Sequence, residues 1–133
     1  MDNILSKIVF NQDGLIPVIA QQYDTGMVLT LAWMNREALT KTIAENRMWY
    51  WSRSRKQLWQ KGETSGQVQQ LKQLILDCDL DAVLALVDQE GVACHTGRKS
   101  CFFNSIEGGP IEGVKIKINQ RQIVPPEKLY GEQ

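Results

Sequence analysis

Two stretches near the N-terminus, 15–21 (LIPVIAQ) and 27–33 (MVLTLAW), are rich in β-branched and apolar residues. Between them lies Tyr23-Asp24-Thr25-Gly26, with Asp and Gly where a tight turn needs them, so the pair predicts a β-hairpin. Pro17 has no amide to give a ladder, which predicts an edge position for the first strand or a break in its pairing. The period then changes. Ala38, Leu39, Thr42 and Ile43 fall on one stripe at helical spacing, while Glu37, Lys41 and Glu45 point elsewhere. With Asn35 as N-cap and Asn46 as stop, residues 36–46 predict a three-turn amphipathic helix lying on a sheet.

Trp49 and Trp51 alternate as in a short strand, and 52–56 reads as a polar loop. Residues 71–78 and 82–88 predict two buried strands, the second almost uninterruptedly apolar. Gln89-Glu90-Gly91 makes a turn after it, Phe102 and Phe103 read as core, and 114–118 alternates like a terminal or edge strand. The chain of 133 residues predicts one domain, 1–133, mostly β with one or two helices.

Fifteen basic and fifteen acidic residues leave no net charge, which disfavours a general polyanion binder or a membrane-surface protein. No apolar run is long enough to span a bilayer, and MDNILSKIVF lacks a secretory pattern, so the expected compartment is the cytoplasm. Disulfides do not persist there, which leaves the three cysteines as buried apolar side chains or as metal ligands.

The segment from Leu71 to Cys101 contains all three cysteines, the single histidine, and the acids Asp77, Asp79 and Asp81. In a strand those acids would share one face with Cys78 on the other, and three carboxylates so close call for a cation. Hard oxygen ligands suit Mg²⁺ or Ca²⁺; the plain alternative is a solvated acidic strand end. The cysteines are spaced C-x15-C-x6-C, unlike a zinc ribbon or finger. Three thiolates leave one position on zinc open, the mark of a catalytic site. His95 is either the fourth ligand or, since neighbours in extended chain point apart, an acid–base group beside the site. The second role is the better fit, because a zinc held by three thiolates grips a water proton weakly and gains from a nearby base.

Upstream, residues 47–61 carry five basic side chains and no acid, interleaved with Trp49, Tyr50, Trp51 and Trp59. Cations for phosphate and aromatic faces for a base suit an anionic ring-bearing ligand, although a half-buried strand and a solvated basic loop would look the same. Gly62-Glu63-Thr64-Ser65-Gly66 follows and can present amides to a phosphate, without a Walker pattern around it.

WMNREAL, WSRSRKQLWQKGETSG, DCDLDA and CHTGRKSC, in chain order within residues 15 to 103, resemble phosphoribosyl-AMP cyclohydrolase of histidine biosynthesis. The resemblance implies an α+β fold, mostly β, with a curved, barrel-like sheet, one or two helices and an intertwined homodimer. It implies a hydrolase that opens the adenine ring of 1-(5-phosphoribosyl)-AMP at the N1–C6 bond. By position it implies one zinc per subunit on Cys78, Cys94 and Cys101, with Cys78 from the partner subunit. Magnesium would lie on Asp77, Asp79 and Asp81. His95 would be catalytic, and Arg53, Arg55, Lys61, Thr64 and Ser65 would bind substrate phosphate. Some relatives carry a fused phosphoribosyl-ATP pyrophosphohydrolase domain; a chain ending at 133 is expected to have the single activity. A base deaminase is disfavoured because H-x-E with P-C-x-x-C is absent. A zinc-stabilised nucleic-acid module is disfavoured by zero net charge and the three acids.

Overall fold

The computed structural model describes residues 2–129. After a short helix α1 (Asp2–Leu5), the expected hairpin forms from β1 (Ile16–Gln22) and β2 (Val28–Met34). Helix α2 (Arg36–Glu45) follows at once. The Asn35 carboxamide accepts from the Ala38 amide at 2.8 Å, and Asn46 closes the helix in the left-handed region at φ 57°. Of the predicted stripe, Ala38, Leu39 and Thr42 are buried and Ile43 is partly buried against the core.

A second hairpin, β3 (Trp49–Ser52) and β4 (Gln57–Gln60), stands apart from the main sheet. Then β5 (Gln69–Leu76) and β6 (Val83–Gln89) complete a four-stranded sheet in the order β2-β1-β6-β5. β1 and β6 are parallel, and the outer pairings are antiparallel. The chain ends in a third hairpin, β7 (Asn104–Gly109) and β8 (Gly113–Ile118), and a 3₁₀ turn, Pro126–Lys128.

The fold is α+β and mostly strand, but the sheet is open, with β2 and β5 at its edges, and not a barrel. Pro17 needs no edge. β1 is an inner strand, and its parallel ladder with β6 begins only at Val18↔Val83, one residue beyond the proline. No helix among the described residues is long and apolar enough to cross a membrane.

Period-two burial sets the core. Ile16, Val18 and Ala20 of β1 and Val83, Ala85 and Val87 of β6 turn inward, onto Leu39 of α2 and Tyr50 of β3. The opposite face has no such cover. Registered across it are Leu31, Ile19, Leu84 and Ile75, one from each strand, and three of them are at least 38% exposed. The β7–β8 hairpin is also apolar on one side. Ile106 opposes Ile116 and Gly108 opposes Val114, and all three apolar side chains are more than 60% exposed. Phe102 and Phe103, expected in the core, lie at the root of this arm instead. Phe102 is exposed, and Phe103 is half-buried with the Arg98 guanidinium 4.2 Å from its ring centre.

Candidate active site

Because β1 and β6 run the same way, their C-terminal ends lie together, and the loops that leave there converge. The β3–β4 hairpin opens at this end, since the Lys61 amide donates to Met48 O and the Met48 amide donates to Gln69 O. The segment after β6 folds into a tight loop: Ala93 and Cys94 amides bond the carbonyls of Lys99 and Arg98. The Cys101 amide then bonds Leu29 O at 2.7 Å, and buried Ser100 donates to Val28 O at 2.7 Å, tying the loop to β2. Cys94 and Cys101 are thereby brought side by side. Burial pushes the Cys101 thiol up, Thr30 pulls it down by a hydrogen bond, and the adjacent Cys94 pushes it up again. The Thr96 hydroxyl donates to Cys94 Sγ at 3.1 Å.

A cavity of about 550 Å³ opens beside this loop. Arg55, Thr64, Ser65 and exposed His95 line it, four of the residues singled out in the sequence. Trp59 of the aromatic run and Gly62 and Glu63 of the loop line it as well, together with Ser52, Ser54, Gln57 and Gln60, which were not singled out. Of the aromatic run only Trp59 faces the cavity. Tyr50 is buried beneath it with ring centres 5.4 Å apart, and Trp49 packs toward α2, donating from its indole to Glu45 at 3.1 Å. Arg53 lies elsewhere, its guanidinium 4.6 Å from the Trp33 ring centre. Lys61 is buried, with its ammonium on the Ala93 carbonyl at 2.5 Å.

Two glycines make this packing possible. A Cβ on Gly62 (φ +88°) would stand 2.5 Å from the Val68 amide, and one on Gly97 (φ +88°) would collide with Val124 O. The second contact is part of a clasp invisible to motif reading. Ile123 and Val124 amides bond Gly97 O, Arg98 donates to Gln120 O, and Gln122 donates to Thr96 O. The C-terminal segment thus holds the cysteine loop from outside.

Underneath runs a chain of buried amides that sequence reading also missed, because a glutamine in a strand normally reads as a solvent-facing residue. The Tyr50 hydroxyl donates to Gln69 Oε1 at 2.6 Å, and Gln69 donates to Gln89 Oε1 at 2.8 Å. Gln89 in turn donates to Gln67 O at 3.0 Å and receives support from Gln22, which accepts from its backbone amide at 2.9 Å. Burial, with Cys101 nearby, pushes the Tyr50 phenol well above its usual range, so it acts as a neutral donor.

The acids lie at the other end of β6. Residues 77–82 are a turn between β5 and β6, so strand alternation does not govern them, and acids and Cys78 do not occupy opposite faces of one strand. The reason is local: Asp77 Oδ1 accepts from the Asp81 amide at 3.0 Å and from Ala82 at 3.3 Å, while Leu80 turns left-handed at φ 61°. The Asp81 amide holds the Asp77 carboxyl down, whereas a hydrogen bond shared with Asp77 pushes Asp81 up. Cys78 is exposed, with its thiol donating to Asp79 at 3.4 Å. Seven residues of β6 separate this turn from the cysteine loop, which at about 3.3 Å per residue is roughly 20 Å. Among the described residues no three possible ligands of one chain converge.

The family model for phosphoribosyl-AMP cyclohydrolase matches residues 30–103. A Rhodospirillum centenum protein named phosphoribosyl-AMP cyclohydrolase is 54% identical over 131 residues, covering 98% of this chain and 95% of the relative. A Rhodospirillum rubrum protein of the same name is 57% identical over 126 residues, 95% of this chain and 85% of the relative. Phosphoribosyl-AMP cyclohydrolase 2 of Pseudomonas fluorescens is 59% identical over 109 residues, 82% of this chain and 74% of the relative.

The amide relay generates a stability prediction. Tyr50→Phe leaves the Gln69 oxygen buried without its donor, and urea unfolding should show a loss of about 1–3 kcal/mol. An unchanged midpoint would mean that the relay does not hold the cavity wall in place.

Proposed function

The chain belongs to the phosphoribosyl-AMP cyclohydrolase family of histidine biosynthesis, and on that premise we propose that it is a metal-dependent hydrolase cleaving the N1–C6 bond of 1-(5-phosphoribosyl)-AMP. The observation that carries this reading is the shared cavity: His95, Arg55, Thr64 and Ser65 line it at the sheet end where Cys94 and Cys101 meet. Arg55 and the 62–66 loop are suited to a phosphate, and Trp59 offers a ring face to the purine. Alkylation at N1 leaves the ring electron-poor, so C6 accepts water. His95 takes a proton from that water as the new C–O bond forms, and returns one to N1 as the N1–C6 bond breaks.

Soft, adjacent thiols at Cys94 and Cys101 fit zinc, which when bound supplies an electrophile that acidifies water. A third thiol cannot come from the same chain, since its own Cys78 sits at the far end of β6. Exposed Cys78 suits a site completed by a second copy. The uncovered sheet row and the apolar side of the β7–β8 arm are the surfaces such a homodimer would bury. Asp77, Asp79 and Asp81 offer hard oxygens for magnesium, close enough that Asp77 and Asp81 already share a hydrogen bond. The three cysteines are free thiols, in keeping with a cytoplasmic enzyme. No nucleic acid or membrane enters the reading.

Phosphoribosyl-AMP supplied with zinc and magnesium should give the absorbance change of ring opening; no turnover would sink the assignment. His95→Ala should keep its zinc and lose roughly 10²–10⁴-fold in kcat, whereas loss of zinc would make His95 a ligand. Cys78→Ser and Cys94→Ser should each be inactive alone. Unfolded and refolded together they should recover activity, because hybrid dimers regain one complete thiol set. A mixture that stays inactive while hybrids form would rule out sharing between subunits.

A further inference from the structure

Lys61 is the only buried lysine or arginine among the described residues. Its place in KGETSG suggests a phosphate ligand, yet it is not among the residues lining the cavity. Its Nζ instead donates to the Ala93 carbonyl at 2.5 Å, one peptide bond from Cys94, and lies 5.6 Å from the Trp59 ring centre. Its backbone is fixed too, with the amide bonding Met48 O at 3.0 Å. An ammonium has three N–H groups, and a single carbonyl and a ring face are thin compensation for burying a cation. The acidic groups that act on it are Cys101 and Cys94; burial lowers its proton affinity and these two raise it.

We propose that Lys61 is a positioning residue for the Cys94–Cys101 pair, its buried ammonium offsetting their thiolate charge toward zinc while its hydrogen bond to Ala93 holds the loop that presents them. This rests on the zinc reading above. Three thiolates on one zinc leave a net negative centre, which is costly in a half-buried site without a fixed cation beside it. Lys61 is that cation, supplied by the strand end opposite the loop. Arg55 and the 62–66 loop are then left to serve the phosphate.

The test uses two variants of the full chain. Lys61→Met removes both charge and donor; Lys61→Gln removes the charge but keeps a donor for Ala93. Zinc affinity is read by competition with a chromophoric chelator, folding by thermal melts, and substrate affinity as KM at saturating zinc. Both variants should bind zinc about 10–100-fold more weakly, with KM little changed. A Gln variant that matches wild type while the Met variant loses zinc would overturn the charge role. Folded variants with wild-type zinc affinity and a raised KM would overturn the inference and make Lys61 a phosphate ligand. Wild-type protein that takes up no zinc would instead strike the zinc reading itself, so the two failures are distinguishable.

Discussion

Everything at the candidate site follows from the parallel pairing of β1 with β6 in the middle of an open sheet. A strand held on both sides cannot bend its ends toward each other, so whatever precedes β6 and whatever follows it are kept apart by its length. The acids and Cys78 precede it; Cys94, His95 and Cys101 follow it. One short segment of sequence, dense with ligating residues, is thereby divided between two ends of the molecule. The same pairing gathers the ends of β1 and β6 and the start of β2, and so seats Cys101 on Leu29 beside Cys94.

That division gives the exposed surfaces their meaning. A chain with its third thiol out of reach also leaves an apolar row across one face of its sheet and an apolar side on a protruding hairpin. Both features cost solvation in isolation, and both are accounted for if a second copy covers them. The open sheet, and the lack of three converging ligands of one chain among the described residues, are both compatible with the proposed dimer.

The site is kept rigid from two sides. Beneath it, amide groups of Gln22, Gln69 and Gln89 are buried with partners, joining β1, β5 and β6 to the loops that line the cavity. Above it, the segment 120–124 clasps the loop at Gly97. A polar network inside a small protein is favourable only when each member is satisfied, and no buried side-chain nitrogen or oxygen among the described residues lacks a partner. The hairpin that carries Arg55 is held both by this network, through Tyr50, and by apolar packing of Met48, Tyr50, Leu58 and Trp59.

The first hairpin, helix α2 with both asparagine caps, and the strands flanking the acids are legible in the sequence, because each rests on local period and turn chemistry. The identities of His95, Arg55, Thr64 and Ser65 as cavity residues were legible too, through motifs. Strand alternation at 77–81 misled, since a carboxylate that can bond backbone amides four and five residues on ends a strand rather than extending it. Lys61, Arg53 and most of the aromatic run read alike in sequence, as cations and rings in one basic stretch. Only tertiary structure separated them, by burying Lys61 against Ala93, stacking Arg53 on Trp33 and leaving Trp59 at the cavity. By itself the sequence determined which chemistry the chain carries in residues 71–101. The distance between its two halves was decided by the sheet, because the separation depends on β6 pairing on both edges, and pairing is a property of strands far apart in the chain.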